Sequence, residues 1–592
     1  MNTDQFLSLS LLAVMLILFI WERWRYDIVA LLGLLIAYFL GLVDTPDLFS
    51  GFGHPAVITV AFVLILSYGL SSSGAMEGLS GLLIRFSQSP IQHIGILLLM
   101  GAFLSMFINN VGALALLMPV ALHSIRGTSL TPSHILMPLA FGTILGGMAT
   151  LIGTPPNIII STYRERILGS GYEMFDFFPV GGLVALTGIG FMATLGWRFL
   201  KARTSSTRKL LSIESYVFEV TLAGNSPLLG KTINDLDDIL SQYQIIIAAL
   251  IHKNQKFLIP PRHHLLDKDD ILILEGTHIE VDRFVTKYHL EWSGTGNASQ
   301  HLLNDPYSQT LECVVSTQSP LIGETVEQAQ LKYMYGVNVL AVSRQGQPHR
   351  GKIRSMRFQI GDVLLLHGAE EDIQDIAQRL HCLPLATQSI RFGHRKFGKH
   401  ALAIFSGAIL LTTFKICPLQ VSFGLGVIAM VFFKIVPIRD LYEGIDWSII
   451  FLIGTMIPLG HLLETTGTTR LISEFILNYV GTSSFPLVIT ILMIITMCLS
   501  DILNNSATAI LMAPIAQNIA IVMDANPDPF LIAVAIGSSC AFLTPIGHQN
   551  NALVLGPGGY RFSDYWRIGL PLEILILLVA VPLITVFWPL QK

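Results

Sequence analysis

The stretch Ser500-Asp501-Ile502-Leu503-Asn504-Asn505-Ser506-Ala507-Thr508 decides the fold, because its pattern occurs twice in the chain. The earlier copy reads Phe107-Ile108-Asn109-Asn110-Val111-Gly112-Ala113, and its asparagine pair precedes the later pair by 395 residues. The same offset, within one residue, relates four further pairs: Pro119 with Pro514, Thr150 with Thr544, Gly153 with Gly547, and Asn157 with Asn551. An ordered series at a near-constant offset indicates that the chain contains two copies of one unit.

Composition predicts that both copies lie in a membrane. The chain has 592 residues, of which 52% are hydrophobic and 13% are charged, about half the charged fraction of a soluble protein. Apolar runs dominate both ends, whereas the middle has the composition of a soluble protein. We therefore predict four segments: a first membrane repeat at 1–204, two inserted units at 205–299 and 300–397, and a second membrane repeat at 398–592. The five cysteines show no zinc-site or disulfide spacing, and the first apolar run lacks signal-peptide features.

Each repeat is predicted to contain five membrane spans and one re-entrant hairpin. Because five is odd, the second repeat enters the membrane from the opposite face, which gives inverted repeats. Basic residues such as Arg25, Lys434 and Arg567 mark one side as cytoplasmic, although Arg164 and Arg166 fall on the other side. The insert is then cytoplasmic, in the plasma (inner) membrane of a bacterium. The predicted spans are Phe6–Trp21, Asp27–Leu42, Pro55–Leu70, Ser133–Ile159, Phe177–Phe199, Ala401–Ile416, Val421–Val436, Trp447–Leu463, Phe530–Leu555 and Ile568–Val586, with hairpins at Ile91–Ile125 and Phe485–Val522.

The hairpin tips place adjacent asparagines at membrane depth, where amide groups are costly unless they are satisfied. Irregular backbone at that depth is tolerated where it lines a cavity inside the protein. Carbonyl and amide oxygens suit a small cation, and helix N-termini suit an anion. The alternative is that the asparagines only join helices to each other.

A second polar element interrupts a span in each repeat, at Gly146–Asn157 and at Ser538–Asn551. Proline removes a backbone donor and clashes with the preceding turn, so Pro155 and Pro545 must unwind their helices. Unwinding frees carbonyl oxygens, and the neighbouring threonines and asparagines add further oxygen ligands. A simple proline kink is the alternative interpretation.

The paired tips and the Gly153-Thr154-Pro155-Pro156-Asn157 break resemble the divalent anion/sodium symporter family over both membrane segments. This resemblance implies an elevator-like mechanism with one substrate site between two sodium sites. It implies substrate contacts from Asn109, Asn110, Val111, Asn504, Asn505, Ser506, Thr154, Pro155, Gly547 and His548. It implies sodium ligands from Asn110, Gly153, Thr154, Asn157, Asn505, Thr544, Gly547 and Asn551.

The first tip departs from that family's pattern, because Ile108-Asn109-Asn110-Val111 contains no hydroxyl group. Carboxylate-binding members use such hydroxyls, so sulfate ranks ahead of a dicarboxylate as the predicted substrate. The segment Thr544–Asn550 also resembles members with soluble inserts, several of which are sulfate transporters.

Two titratable residues lie beside these elements, and no Lys or Arg lies near either tip. His548 fits a structural role better than that of a proton carrier. Asp501 is a functional candidate because a buried carboxylate is expensive in a membrane, or it faces a water-filled cavity and tunes a cation site.

The insert contains two similar units that begin at Ser226-Pro227-Leu228 and Ser319-Pro320-Leu321. Each is predicted to be a small α+β domain with strands at 245–248 and 271–274 in the first unit, and 337–340 and 363–366 in the second. They resemble the TrkA-C modules of potassium-conductance regulators. The resemblance implies dimerisation and a nucleotide-type ligand, or dimerisation and packing alone. No Gly-x-Gly-x-x-Gly follows a strand, so NAD binding is not predicted.

The sequence therefore predicts a polytopic α-helical transporter that couples a divalent anion to sodium, with sulfate first and a dicarboxylate second. The expected partners are a small anion, membrane lipid and a second copy of the chain, without nucleic acid. A proton-coupled anion transporter and an ion channel gated by the inserted units are the alternatives. An enzyme is not predicted, because no nucleophile has a base in reach.

Overall fold

A computed structural model gives the fold of this chain. It describes residues 2–590 except for 22–23, 74–88, 126–127, 129, 203–216, 244, 254, 258–260, 262, 276–277, 293–307, 346, 349–355, 370–372, 386–397, 439–440, 443 and 481–483. The predicted segment boundaries at 204–205, 299–300 and 397 fall outside these residues.

Apolar helices form both ends of the chain. Those before the insert are α1 (Thr3–Trp21), α2 (Tyr26–Phe39), α3 (Pro55–Ser72), α4 (Pro90–Ser105), α5 (Asn110–Ser124), α6 (Pro132–Gly147), α7 (Pro155–Leu168) and α8 (Leu183–Thr194). Those after it are α14 (Gly398–Thr413), α15 (Leu419–Phe432), α16 (Trp447–Thr465), α17 (Thr468–Val480), α18 (Phe485–Ser500), α19 (Asn505–Val522), α20 (Asp528–Ser538), α21 (Gln549–Leu555) and α22 (Phe562–Phe587). Short turns of 3-10 helix occupy Ser50–Gly53 and Gly196–Phe199.

Several of these helices have the length and composition of membrane spans. Within the described residues, α1, α3, α16, α19 and α22 are long and apolar enough to cross a bilayer, and shorter apolar helices accompany them. Large apolar side chains also face outward, including Phe39 (82% exposed) and Phe432 (78% exposed), as lipid contact requires. The helical part of the chain is thus that of a multi-pass membrane protein.

The two predicted hairpins consist of paired helices. Helices α4 and α5 have 16 and 15 residues, so each is about 24 Å long, short of the ~30 Å hydrocarbon core. They contact each other, and so do α18 and α19. The two arms of each predicted hairpin therefore lie side by side.

Two details differ from the sequence prediction. The span predicted at Phe177–Phe199 is interrupted: Phe178–Gly182 forms a π-helical turn next to Pro179, and only Leu183–Thr194 is α-helical. Helix α17 was not predicted, because its apolar residues lie on one face and alternate with polar ones such as Arg470 and Glu474. An amphipathic helix of this kind lacks the continuous apolar run of a membrane span.

The two membrane halves pack against each other through corresponding helices. Helix α7 of the first half contacts α19 and α20 of the second, while α21 of the second half contacts α5 and α6 of the first. Each helix that follows a predicted break therefore packs against the hairpin of the other half.

The insert forms two five-stranded antiparallel sheets with the same topology. The first sheet has the order β3-β2-β4-β1-β5 and the second β8-β7-β9-β6-β10. The first unit contains β1 (Val217–Leu222), α9 (Ile233–Tyr243), β2 (Ile246–His252), β3 (Gln255–Phe257), β4 (Ile271–Glu275), α10 (His278–Lys287) and β5 (Leu290–Trp292). The second contains β6 (Ser308–Val315), α11 (Val326–Ala329), α12 (Leu331–Tyr335), β7 (Asn338–Arg344), β8 (Gln347–Pro348), β9 (Val363–Ala369), α13 (Ile373–Arg379) and β10 (Cys382–Pro384).

The two sheets pack on each other, and the second also packs on the membrane helices. Ala249 and Ile273 of the first sheet form one buried cluster with Leu340 and Leu365 of the second. Val314 and Val363 of the second sheet belong instead to the core of the helical part. The second unit is therefore in direct contact with the helices that carry the predicted site.

Candidate functional site: the hairpin tips and the helix breaks

The first asparagine of each pair caps a helix. The side-chain oxygen of Asn109 accepts a hydrogen bond from the backbone N–H of Val111 at 3.4 Å, and that of Asn504 accepts one from Ser506 at 2.9 Å. Such caps satisfy backbone donors that a helix N-terminus otherwise leaves unpaired. These two predicted substrate ligands thus fix the starts of α5 and α19.

The second asparagine of each pair is buried, with 2% of Asn110 and 8% of Asn505 exposed. The hydroxyl of Ser105 lies 2.6 Å from the Asn110 amide, and that of Ser500 lies 3.0 Å from the Asn505 amide. Sequence reasoning missed both serines. Their signal was present, because each precedes its asparagine by five residues in both copies.

Threonines tie each break to the hairpin of its own half. The hydroxyl of Thr150 donates to the backbone carbonyl of Met106, and the hydroxyl of Thr544 donates to that of Asp501 at 2.8 Å. Each threonine oxygen also accepts a backbone N–H from the glycine three residues later. The two copies therefore make the same contacts between hairpin and break.

Glycines let each break approach its hairpin closely. A side-chain carbon at Gly153 would lie 2.9 Å from the carbonyl oxygen of Ser105, and one at Gly547 would lie 3.0 Å from that of Ser500. Only glycine fits such a distance without displacing the backbone. The approach brings unwound carbonyl oxygens from both elements together.

Asn157 and Asn551 complete the breaks, and each leaves one oxygen unused. Their amide nitrogens donate to the carbonyls of Thr150 at 2.8 Å and Thr544 at 3.0 Å. Their amide oxygens are buried and accept no hydrogen bond from the described residues. An unpaired buried acceptor costs about 1–3 kcal/mol, so a ligand that pairs with it is stabilised. A hard cation such as Na⁺ fits these oxygen atoms.

The second break also reaches across to the first hairpin. The Asn550 side chain donates to the backbone carbonyl of Asn110 at 3.1 Å and to the hydroxyl of Thr143 at 2.7 Å. Nε2 of His548 lies 3.2 Å from the side-chain amide of Asn110. The structure thus brings together two predicted site residues that are 438 positions apart.

These contacts define the hydrogen-bonding role of His548. Its Nδ1 accepts the backbone N–H of Asn550 at 3.0 Å and so caps α21. Nε2 of His548 faces Nδ2 of the Asn110 amide, and the Oδ1 of Asn110 accepts the hydroxyl of Ser105. His548 therefore positions both Asn110 and α21. The corresponding residue of the first half, Thr154, is also buried, and Pro155 starts α7 there.

Two buried carboxyl groups stand beside the second break. One oxygen of Asp501 accepts the backbone N–H of Leu543 at 2.9 Å, and its other oxygen has no partner among the described residues. The carboxyl group of Glu573, on α22, lies next to it and accepts the backbone N–H of Phe542 at 3.4 Å. Sequence reasoning missed Glu573. The residue that corresponds to Asp501 in the first half is Met106, so this acidic pair occurs in one half only.

The two arginines that conflicted with the predicted sidedness are paired with carboxylates of the second half. Arg164 forms a bidentate ion pair with Asp528 at 2.7 and 2.9 Å, and Arg166 pairs with Glu464 at 2.6 Å. Their charge is largely compensated within the protein, which weakens their influence on sidedness.

Apolar helices broken at two corresponding places around buried, unpaired oxygen atoms define the class: a helical membrane transport protein. The citrate transporter family model (CitMHS) matches residues 16–524 and 462–592. The chain belongs to this family.

Two relatives that are named as transporters match the chain over nearly their whole length. The chain is 31% identical over 593 residues to the uncharacterized transporter sll0640 of Synechocystis, covering 98% of this chain and 96% of the relative. It is 28% identical to the uncharacterized transporter YfbS of Escherichia coli, covering all of both chains. It is 25% identical to sodium/sulfate cotransporter 1 of Chlamydomonas reinhardtii, covering 58% of this chain and 41% of that protein.

Proposed function

We propose that this protein is a secondary active transporter that couples the symport of a divalent anion, sulfate first and a dicarboxylate second, to sodium. The observation that carries the proposal is the pair of buried, unpaired amide oxygens on Asn157 and Asn551. They occupy corresponding positions, so they predict two equivalent cation sites. The name of the sodium/sulfate cotransporter relative supports the choice of both ions.

We place the anion between the two hairpin tips. The first turn of α5 begins at Asn110, and that of α21 meets it through His548 and Asn550. Helix N-termini carry unpaired N–H groups and a partial positive charge, which favour an anion where no Lys or Arg is present. Asn505 and Ser506 supply the corresponding groups at the start of α19. Two bound sodium ions would offset the double negative charge of the substrate.

The packing of the halves supports an alternating-access mechanism. The helix that follows each break packs against the hairpin of the other half, so both halves contribute to one site between them. We propose that the halves are inverted repeats, that movement is elevator-like, and that the transporter works as a homodimer in the plasma membrane, as its resemblance to divalent anion symporters implies.

Proton coupling is a second candidate, and one observation favours it. Asp501 and Glu573 are buried (4% and 6% exposed) and adjacent, and a carboxyl pair of this kind readily holds one proton between its members. The pair lies beside Leu543 and Phe542, immediately before the second break. A proton there would occupy the place of the sodium ion in the second half.

The inserted units are proposed to be cytoplasmic and to regulate transport. Gly361, in the turn before β9, lies directly against the backbone of Ala552 and Gly556 at the end of α21. Helix α21 starts at the break that contains His548 and Asn551. A movement of the second unit against α21 would therefore displace these residues of the proposed site. A small ligand of nucleotide type, bound to the TrkA-C-like units, is the proposed regulator.

The test is uptake of labelled sulfate and succinate into proteoliposomes, with and without inward sodium and proton gradients. Saturable uptake that requires sodium supports the proposal and identifies the anion. Uptake driven by the proton gradient alone supports the second candidate. Flux that follows voltage alone and does not saturate would overturn both and indicate a channel. Thr187→Ala, at a partly exposed position on α8, serves as the control variant.

A further inference from the structure

Two histidines and an aspartate meet in the first inserted unit, away from the membrane site. His252 ends β2, Asp270 precedes β4, and His264 lies in the loop between β3 and β4. Nδ1 of His252 is 2.6 Å from one carboxylate oxygen of Asp270, and Nε2 of His264 is 3.7 Å from the other. One potential ligand atom from each residue lies within 4.8 Å of the other two.

The corresponding position of the second unit contains an ordinary structural ion pair. There Arg344 makes a bidentate pair with Asp362, with both N–O distances at 2.8 Å. The two units can be aligned residue by residue through an equivalent backbone hydrogen bond. The N–H of Gly230 donates to the carbonyl of Leu266 in the first unit, and that of Gly323 donates to the carbonyl of Phe358 in the second.

With that alignment, His252 corresponds to Arg344, Asp270 to Asp362, and His264 to Met356. The first unit thus replaces a permanent cation by an imidazole and an apolar side chain by a second imidazole. An ion pair between His252 and Asp270 would account for the first replacement alone. It gives no reason for a histidine at position 264.

In the described part of the chain, the ring of His264 packs against the rings of His252 and Phe257. Nε2 of His264 is buried and forms no hydrogen bond with the described residues. Its ring makes edge-to-face contact with that of His252, with the ring centres 4.9 Å apart. One nitrogen of each ring lies within 4.0 Å of the Asp270 carboxylate. A buried ring nitrogen aimed at a carboxylate beyond hydrogen-bonding distance leaves room for an ion between them.

The ligands are also held in place. The carbonyl of His264 accepts the N–H of Ile233 at 3.1 Å, and its own N–H donates to Pro261 at 2.9 Å. Asp270 accepts the N–H of Asp267 at 2.9 Å through the oxygen that faces His264. The Asp270 side chain is 2% exposed, and the two histidines are 22% and 18% exposed, so water can reach one side of the cluster.

We propose that His252, His264 and Asp270 bind a divalent transition metal ion of the zinc type. Two imidazoles and a carboxylate, with water in the fourth position, form a common ligand set for Zn²⁺. Bonds of about 2.0–2.2 Å to a tetrahedral ion require ligand atoms to be somewhat more than 3 Å apart, so His252 and Asp270 must separate slightly while His264 moves closer. The metal would then join β2 to the loop before β4, as Arg344 does permanently in the second unit.

The test uses the full-length protein in detergent, with any histidine tag removed and bound metal stripped by a chelator. Zn²⁺ binding is measured by calorimetry, and Co²⁺ binding by the absorption bands of a tetrahedral site. We expect one strong site per chain. His264→Met, which copies the second unit, should weaken binding at least about tenfold, since even outer-shell changes cost that much. His263→Ala, the exposed neighbour, is the matched control and should bind like the parent protein.

A second variant protects the test against misfolding. His252→Arg copies Arg344, retains a partner for Asp270 and should fold while losing the site. Absence of a strong site in the parent protein, or equal binding by the parent, His264→Met and His252→Arg, would overturn the proposal.

Discussion

The two membrane halves make the same contacts but differ in their ionisable groups. In both, a threonine hydroxyl binds the hairpin carbonyl, a glycine allows close approach, and an asparagine keeps one oxygen free. The second half alone adds Asp501 and His548, where the first has Met106 and Thr154. The shared contacts are those that the proposed duplicated cation site needs, and the added groups are where the two proposed sites differ.

The tips differ as well. The second tip carries a hydroxyl at Ser506, whereas the first has Val111. The first tip instead receives His548 and Asn550 from the opposite half. The anion site is therefore expected to be asymmetric, with more of its polar groups contributed by the second half.

The largest expected loss of uptake comes from replacing the buried asparagine at either hairpin tip. Asn110→Ala removes a partner of both Ser105 and His548, whereas Asn505→Ala removes one partner of Ser500, whose hydroxyl also donates to the carbonyl of Ser538. Leaving buried polar groups unpaired costs about 1–3 kcal/mol each, so we expect both variants to lose at least ~90% of uptake and Asn110→Ala to lose more. Initial uptake rates in proteoliposomes measure this, with reconstituted amounts matched. Near-normal uptake by both variants would contradict the assignment of the tips.

The cation sites can be compared by removing the two free oxygens in turn. Asn157→Leu and Asn551→Leu keep the side-chain size but delete the oxygen proposed to bind sodium. We expect each to raise the sodium concentration for half-maximal uptake by about tenfold, equivalent to one lost ligand of ~1.4 kcal/mol. Sodium titration of uptake at saturating anion measures this. Because the amide nitrogens also donate to backbone carbonyls, thermal melting of each variant is compared with that of the parent protein to separate lost stability from lost sodium binding.

Removing the charge of Asp501, which has no counterpart in the first half, is expected to have a smaller effect on sodium dependence. Asp501→Asn keeps an acceptor for Leu543 but removes the charge. If sodium is the coupling ion, losing an attraction on the order of 1 kcal/mol should raise its half-saturating concentration about fivefold. Glu573→Gln should have a weaker effect of the same sign. An unchanged sodium response together with lost dependence on a proton gradient would instead favour proton coupling.

Sequence reasoning located the breaks and hairpins because their signals are local. Prolines beside Thr154 and Thr544, and paired asparagines inside apolar runs, have direct consequences for the nearby backbone. The repetition of each signal at a constant offset strengthened the prediction. The strands of the inserted units were recognised for the same reason, from short apolar runs between turns.

The missed features depend on contacts between distant segments. Glu573 lies in an apolar C-terminal helix, and only the fold brings it beside Asp501. The bonds of Asn550 to Asn110 and Thr143 likewise join opposite halves of the chain. No local pattern encodes such contacts, because they follow from how α21 packs on the first hairpin.

The smallest expected effect concerns the contact between the second unit and α21. Gly361 has a left-handed backbone with φ of 81° and lies against Ala552, whereas its counterpart in the first unit, Asp269, has φ of 68° and a side chain. The left-handed turn alone therefore tolerates a side chain, and glycine is required at Gly361 because the membrane helix is so close. Gly323, with φ of 83° and no atom within 4 Å of an added carbon, provides the matched control.

Gly361→Ala and Gly323→Ala share the strain of a left-handed residue, about 1–2 kcal/mol, but only the first collides with α21. If the inserted units regulate transport through this contact, Gly361→Ala should change the uptake rate about twofold or more, while Gly323→Ala should leave it near the parent value. Thermal melting of both proteins separates this effect from loss of stability, because the shared strain should lower both melting temperatures. Equal uptake by the two variants would mean that the second unit packs on the membrane helices without influencing the site.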